Sequence, residues 1–126
     1  MDHISLTMNK GEILGLVGPS GCGKTSTLRL IAGFERPDSG TILINARAVT
    51  GTNWVSPEKR GVGMVFQDYA LFPHLTVRQN VAFGLKGQSR EKIKDTTEYL
   101  LRLIGLSDMA ERYPHELSGG ERQRVA

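Results

Sequence analysis

Short apolar runs separated by turn residues occupy the first half of the chain. Residues 4–8 alternate apolar and polar side chains, and residues 13–17 form a continuous apolar run too short for a helix. The first pattern predicts a strand with one buried face, and the second predicts a strand buried on both faces of a parallel sheet. Residues 41–44 and 62–66 predict two more strands, each behind a glycine turn, with a polar loop between them.

Helical spacing appears first directly behind a glycine-rich loop at residues 18–23. Residues 24–32 place apolar side chains at helical intervals, and Gly33 follows where a helix end favours a positive φ. A strand, a glycine loop and a helix therefore follow one another. This order predicts an α/β fold with a P-loop core.

The second half of the chain has a helical pattern instead. Residues 77–85 predict a short helix, and residues 91–104 predict a longer one whose apolar side chains share one face: Ile93, Leu100, Leu101 and Ile104. Residues 121–126 have the pattern of a helix that lacks a stop signal, which indicates a truncated chain. We predict one domain with two lobes, a nucleotide-binding core at residues 1–74 and an α-helical subdomain at residues 75–126.

Composition and charge exclude several classes of protein. The 126 residues are 39% hydrophobic and 23% charged, as in an ordinary globular domain. A membrane-spanning helix needs about 18 consecutive apolar residues, and no run in the sequence approaches that length. Cys22 is the single cysteine, so it forms no internal disulfide. These features predict a reducing, cytoplasmic setting. The net charge of +3 is spread among acidic residues, so we predict no nucleic-acid partner.

The loop at residues 18–25 matches the Walker A pattern, Gly-x-x-x-x-Gly-Lys-Thr. Glycines let backbone N–H groups surround a phosphate, the helix adds its positive end, and Lys24 adds a flexible charge. The Thr25 hydroxyl is placed to bind Mg²⁺. The alternative is a glycine turn that only joins strand to helix. We predict that ATP and Mg²⁺ bind here, with the nucleotide held by Gly18, Pro19, Ser20, Gly21, Cys22, Gly23, Lys24, Thr25 and Ser26.

Walker A alone leaves kinases, GTPases and transport ATPases open, and two further motifs narrow the choice. The run Leu117-Ser118-Gly119-Gly120-Glu121 resembles the ABC signature Leu-Ser-Gly-Gly-Gln, with glutamate in the last place. Residues 63–67 resemble the Q-loop of the same family, and residues 70–77 followed by Asn80 resemble its importer branch. By these three landmarks, the chain is identified as a member of the ABC ATPases.

The resemblance implies a site shared by two copies. In this family two ATP-binding domains pair head to tail, so the segment Ser118-Gly119-Gly120-Glu121 would close on ATP held by the second copy. The catalytic residues would be Lys24 and Gln67. Gln67 would contact Mg²⁺ or the attacking water and would signal to membrane subunits through residues 68–74. The alternative for Gln67 is a polar residue at a strand end.

Two residues of the signature also have a purely local interpretation. Ser118 and Glu121 have the spacing of a capping box, in which the serine oxygen and the glutamate side chain each accept a backbone N–H. A capping serine still has a hydroxyl proton for a phosphate, so both interpretations hold together. Glu121 places a negative charge near the nucleotide unless Arg122 or Arg124 compensates. We treat His3, His74 and His115 as surface or interface residues, not as ligands.

The resemblance implies the ATP-binding subunit of an ABC importer, peripheral on the inner face of the membrane and paired with transmembrane permease subunits. Ferric iron is the favoured solute among ferric iron, polyamines, sulfate and sugars. The alternatives are a soluble ABC ATPase and an inactive remnant. The family's Walker B carboxylates would follow Ala126, so we expect residues 1–126 alone to be inactive, with apolar residues such as Leu14 and Val65 uncovered.

Overall fold

The computed structural model describes residues 3–126, which form two compact units, one ending at Met64 and one spanning Val65–Ala126. The helices and strands are α1 (Lys24–Ala32), β1 (Leu43–Ile44), β2 (Arg47–Ala48), α2 (Val77–Phe83), α3 (Arg90–Leu103) and α4 (Gly119–Val125). Single 3-10 turns lie at Pro57–Lys59, Ser107–Met109 and Pro114–Glu116. The predicted division between lobes at residues 74 and 75 stays a prediction.

α1 begins and ends where the sequence predicts. Gly23 at its start and Gly33 at its end have φ angles of 97° and 90°, in the left-handed region that glycine enters without steric cost. The Gly33 N–H closes the helix by donating to the Arg29 carbonyl at 2.9 Å. The Thr27 hydroxyl donates to the Gly23 carbonyl at 2.9 Å, which holds the first turn. The predicted helix at residues 24–32 is confirmed.

Residues 43–48 form a small hairpin. β1 pairs antiparallel with β2, with Leu43 opposite Ala48 and Ile44 opposite Arg47. The two residues between the strands, 45 and 46, have positive φ angles of 50° and 61°, as a tight two-residue hairpin turn requires. The strand predicted at residues 41–44 is thus confirmed over its second half. Its partner strand lies in the segment that the sequence assigned to a polar loop.

A buried arginine, Arg60, ties the end of α1 to the residues around the hairpin. It is 5% exposed, and its guanidinium lies 4.4 Å from the ring centroid of Trp54. It donates four hydrogen bonds of 2.8 to 3.1 Å, to the carbonyl oxygens of Leu30, Ile31, Val49 and Val55. The first two carbonyls belong to the negative end of α1, so the helix dipole stabilises the cation. Arg60 therefore fixes the helix that follows the phosphate loop.

The strands predicted at residues 4–8, 13–17 and 62–66 do not form, and these predictions are wrong for the described residues. A strand persists only when a neighbour pairs with its backbone, and the single ladder within residues 3–126 joins β1 and β2. Without a partner, the apolar run stays uncovered: Ile13 is 97% and Val17 is 96% exposed. The expected exposure of Leu14 and Val65 is confirmed.

The second unit is a helical body around one apolar cluster. Its buried members come from α2, α3 and the turns that follow: Val77, Leu101, Leu106, Ala110 and Leu117. α3 begins one residue before the predicted helix at residues 91–104, and α2 ends two residues before the end of the predicted helix at residues 77–85. Both helices are confirmed, because their apolar spacing matches a face that the cluster buries.

The start of α2 is tied to a segment far along the chain. The backbone N–H groups of Val77 and Arg78 donate to the carbonyls of Arg112 and Ala110, each at 2.8 Å. An ion pair of 2.7 Å joins the Arg78 guanidinium to Glu111 beside them. These N–H groups would otherwise lack partners at a helix start. α2 is therefore docked by its backbone onto the residues that lead to the signature.

Candidate functional site

The ammonium of Lys24 lies inside the glycine loop. Its Nζ donates to the carbonyl oxygens of Gly18 at 2.8 Å and Pro19 at 2.6 Å, and to Cys22 Sγ at 3.4 Å. The three N–H bonds of an ammonium are thus all directed at loop atoms. If an anion enters the loop, the Lys24 ammonium can donate to its charged oxygens instead of to these neutral acceptors, and hydrogen bonds to charged oxygens are stronger.

Gly18 and Cys22 approach each other closely across the loop. A Cβ added at Gly18 would lie 2.8 Å from Cys22 Sγ, which real Cβ atoms essentially never show. The Cys22 N–H also donates to the Pro19 carbonyl at 3.4 Å, which closes a turn. Residues 18–22 are exposed, so the outer side of this tight ring is open to solvent.

The first turn of α1 offers N–H groups without a side-chain cap. Its N-cap is Gly23, which has no side chain to accept from the turn, and the turn contains no acidic residue. The unpaired amides and the helix dipole give this end a partial positive charge. Combined with the ammonium of Lys24, the loop presents a concentrated positive potential to an anion.

The Thr25 hydroxyl is exposed in the same turn, and Ser26 is half-buried beside it. Among the described residues, no group of three or more His, Cys, Asp or Glu side chains could hold a metal unaided. Mg²⁺ keeps several waters and binds through few protein oxygens when phosphates supply the others. A single hydroxyl at this position therefore fits Mg²⁺ bound together with a nucleotide.

Gln67 lies at the start of a turn in the second unit and is exposed. The turn is closed by the Tyr69 N–H, which donates to the Phe66 carbonyl at 3.0 Å. Tyr69 and Ala70 have φ angles of 65° and 46°, an uncommon conformation for residues with a side chain. Such backbone strain is concentrated at functional segments, and it lies directly behind Gln67.

Ser118 caps α4 through the capping box that the sequence predicts. Its Oγ accepts from the Glu121 N–H at 3.3 Å, and its own N–H donates to Glu121 Oε2 at 2.7 Å. The Ser118 hydroxyl also donates to the same carboxylate oxygen, at 2.8 Å. The hydroxyl proton is therefore directed at Glu121 in this conformation, and it must turn away before it can reach a phosphate.

The charge of Glu121 is stabilised locally. Hydrogen bonds from the Ser118 N–H and the Ser118 hydroxyl lower the pKa of the Glu121 carboxyl, and the charges of Arg124 and Arg112 lower it further. Of the two expected compensating residues, Arg124 acts and Arg122 does not. Arg122 instead donates to the Leu117 carbonyl at 2.6 Å.

The first unit thus gathers residues 18–25 in one loop, and the second unit holds Gln67 and the signature cap. Sequence reasoning missed two residues that support these segments, Arg60 behind the phosphate loop and Asn80 behind the turn at Gln67. Asn80 binds the residues before α2 through four hydrogen bonds. The only sequence feature that pointed to Asn80 was its position in the importer-like motif. Arg60 lies in a polar segment, and nothing in the sequence there indicated a buried side chain.

All three histidines are exposed. The His74 ring lies 6.1 Å from that of Phe72, and the His115 ring is stacked on Tyr113 at 5.8 Å, so both make aromatic contacts on exposed segments. His3 is exposed.

The sequence profile of the ABC transporter family matches residues 1–126. The sulfate/thiosulfate import ATP-binding protein CysA of Mycobacterium tuberculosis H37Rv is 53% identical across the whole chain, which covers 36% of that protein. The spermidine/putrescine import ATP-binding protein PotA 2 of Pseudomonas aeruginosa PAO1 is 52% identical, with 34% covered. The chain therefore spans about a third of the length of these relatives.

A solved structure agrees with the sequence comparison. The ATP-binding cassette MJ0796, solved as a dimer in a post-hydrolysis state with ADP and Pi, matches 95% of this chain and 56% of its own. The TM-score is 0.80 at 31% sequence identity. Within residues 3–126, no helix is long and apolar enough to cross a bilayer. The chain belongs to the ABC transporter family, with the P-loop ATPase fold of its ATP-binding cassettes.

Proposed function

We propose that this chain carries the phosphate loop and the signature of the ATP-binding subunit of an ABC importer. The observation that carries the proposal is the position of the Lys24 ammonium, which is hydrogen-bonded inside the glycine-rich loop at the start of α1, where no side chain caps the helix. The relatives named above are import ATP-binding proteins along the same residues. ATP is the ligand that this loop and this family membership favour together.

In this proposal the β- and γ-phosphates of ATP replace the carbonyls of Gly18 and Pro19 as acceptors for Lys24. The backbone N–H groups of residues 20–26 donate to the same phosphates. Mg²⁺, when bound, neutralises phosphate charge, and Thr25 and Gln67 are the residues that would hold it. Phosphoryl transfer depends mainly on such positioning and charge stabilisation, which makes Lys24 and Gln67 the catalytic candidates of this chain.

The signature supplies the other half of a shared site. Ser118, Gly119, Gly120 and Glu121 would close on ATP held by a second copy of the domain. The MJ0796 cassette forms a dimer in its solved structure, which supports pairing between cassettes. For closure, the Ser118 hydroxyl would turn from Glu121 toward that ATP.

The membrane partner and the solute extend the proposal further. A peripheral position on the cytoplasmic face, against permease subunits, is what the importer assignment implies. CysA is named for sulfate and thiosulfate and PotA 2 for spermidine and putrescine, so relatives of opposite solute charge share this region equally well. Transport of ferric iron therefore stays a prediction. Residues 1–126 do not favour ferric iron over the other solutes.

Binding of Mg-ATP to the full gene product tests the proposal, measured by titration with and without Lys24→Ala. Charge-assisted hydrogen bonds are worth about 1.5–3 kcal/mol, so we expect a roughly tenfold to hundredfold weaker Kd. Lys10→Ala is the matched control, because Lys10 is also a lysine of the first unit but lies outside the loop. Equal affinity of the Lys24 variant and the wild type would refute the nucleotide site.

A further inference from the structure

Asn80 holds the turn that precedes α2. Its Oδ1 accepts from the Phe72 N–H at 2.8 Å. Its Nδ2 donates to the carbonyls of Phe72 at 3.2 Å, Leu75 at 3.0 Å and Thr76 at 3.0 Å. An amide has two donor hydrogens, so one of them is shared between two carbonyls. A single half-buried side chain therefore satisfies four backbone groups within five residues.

The same turn is packed onto the far end of α2. The rings of Phe72 and Phe83 lie 4.3 Å apart, and the Leu75 N–H donates to the Phe72 carbonyl at 3.2 Å. Residues 72–76 are consequently fixed to α2 by both polar and aromatic contacts. They form the fixed end of the segment that begins at Gln67.

Between Gln67 and this fixed end lie the two left-handed residues, Tyr69 and Ala70. Residues with a Cβ remain in this conformation only where the surrounding structure determines it. The hydrogen bond from Tyr69 to Phe66 closes one side of the turn, and Asn80 fixes the chain just beyond it, at Phe72. Loss of the Asn80 bonds would therefore remove one of the two constraints on the segment that holds Gln67, Tyr69 and Ala70.

The first turn of α2 is also tied to the residues that lead to the signature. Val77 and Arg78 are bound by their backbones to residues 110 and 112, and Val77 packs in one apolar cluster with Leu117, the neighbour of Ser118. α2 therefore has one set of contacts toward the turn at Gln67 and another toward the signature cap. Asn80 is the side chain that closes the first set.

We propose that Asn80 is a positioning residue, which fixes Gln67 relative to α2 and so couples the Q-loop to the signature cap at Ser118. The functional part of this inference rests on the proposed nucleotide site. The structural part, that Asn80 determines the conformation of residues 67–76, stands without it. The coupling passes through contacts of the second unit alone.

Asn80→Leu in the full gene product tests the structural part, because leucine keeps the volume and removes all four hydrogen bonds. Without nucleotide, we expect amide exchange in residues 67–75 to be about tenfold faster, the effect of losing one protecting hydrogen bond. Unchanged exchange in Asn80→Leu would overturn the proposal.

Gln79→Leu is the matched control. Gln79 is the preceding residue of α2, and its side chain accepts from the Thr76 N–H at 2.9 Å, but it has no bond to Phe72 or Leu75. This variant should cost comparable helix stability and leave exchange at residues 67–72 unchanged. Equal acceleration in both variants would show that general loosening of α2, and not Asn80, controls the turn.

ATP turnover tests the coupling. Asn80→Leu should lower kcat about tenfold and weaken Mg-ATP binding much less than Lys24→Ala does, because it disturbs Gln67 and leaves Lys24 and the phosphate loop of the other unit unchanged. Gln79→Leu should leave both values unchanged at a similar Tm. A wild-type kcat in Asn80→Leu would overturn the coupling. Absence of Lys24-dependent ATP binding would instead refute the proposed function, and the exchange measurement would still decide the role of Asn80.

Discussion

Replacement of Arg60 by methionine should destabilise the first unit strongly. Methionine retains the apolar length of the side chain but removes every donor of the guanidinium. Of the four carbonyls that lose a donor, only that of Val49 keeps a second one among residues 3–126, the Val55 N–H at 3.2 Å. The other three belong to Leu30, Ile31 and Val55.

The magnitude follows from these bonds. An acceptor left without a partner costs about 1–3 kcal/mol when buried, and carbonyls at the end of a helix recover part of this cost by binding water. Burial lowers the pKa of Arg60, so removal of the charge returns some desolvation energy. We expect a net loss of about 3 kcal/mol, a large part of the about 5–15 kcal/mol that stabilises a typical domain.

Urea unfolding followed by tryptophan fluorescence measures this loss. Trp54 is the only tryptophan of the chain and lies against the Arg60 guanidinium, so the signal reports on the first unit. With a slope of roughly 1.5 kcal/mol per molar urea, the midpoint should fall by about 2 M. Arg36→Met is the control, because Arg36 also lies over Trp54, at 4.7 Å, but is exposed. Equal midpoints for Arg60→Met and Arg36→Met would refute the reasoning.

Three further predictions concern single side chains. Gly33→Ala places a Cβ 2.5 Å from a buried guanidinium at a φ of +90° and should cost about 3 kcal/mol in urea unfolding. Gly51→Ala, in the same unit and at a φ of +87° in open space, should cost only about 1 kcal/mol. Thr97→Val removes a buried hydroxyl that has no hydrogen-bond partner, so the unfolding midpoint should rise by the equivalent of about 1 kcal/mol, and a fall would contradict this. Hydrogen bonds from Ser118 lower the pKa of the Glu121 carboxyl in the folded state, so its contribution to stability is complete above the unfolded-state pKa and is lost as pH falls through the folded-state pKa. Glu121→Gln should therefore reduce the loss of stability with falling pH in this range. An unchanged pH dependence would count against the Ser118 cap.

The parts of the fold that depend on local chemistry could be predicted. α1 follows from the glycines at both of its ends, and the cap of α4 follows from the spacing of Ser118 and Glu121. The hairpin was missed because Ala46 takes a left-handed conformation without the usual Asn-Gly signal. The pairing of β1 with β2 holds Ala46 in this unfavourable conformation, and local sequence does not reveal that pairing.

The errors arise where a segment depends on distant partners. The apolar run at residues 13–17 has the composition of a buried strand, but composition cannot supply the neighbouring backbone that a strand requires. Arginine is usually a surface residue, and the burial of Arg60 depends on carbonyl groups up to 30 residues away in sequence. Asn80 likewise gains its role from the turn that folds back onto it.

The docking of α2 also determines how the second unit can assemble. Arg78 and Glu111 are 33 residues apart in sequence, and the backbone bonds beside them join the same two segments. A seven-residue helix is too short to persist by itself in water. During synthesis, α2 therefore leaves the ribosome well before the carbonyls that complete its first turn, and it must wait for α3 and the turns behind it. Until Ala110 and Arg112 are synthesised, the first turn of α2 lacks the carbonyls that it binds in the folded unit, so a pause in translation before Ala110 would leave α2 exposed to proteases and chaperones.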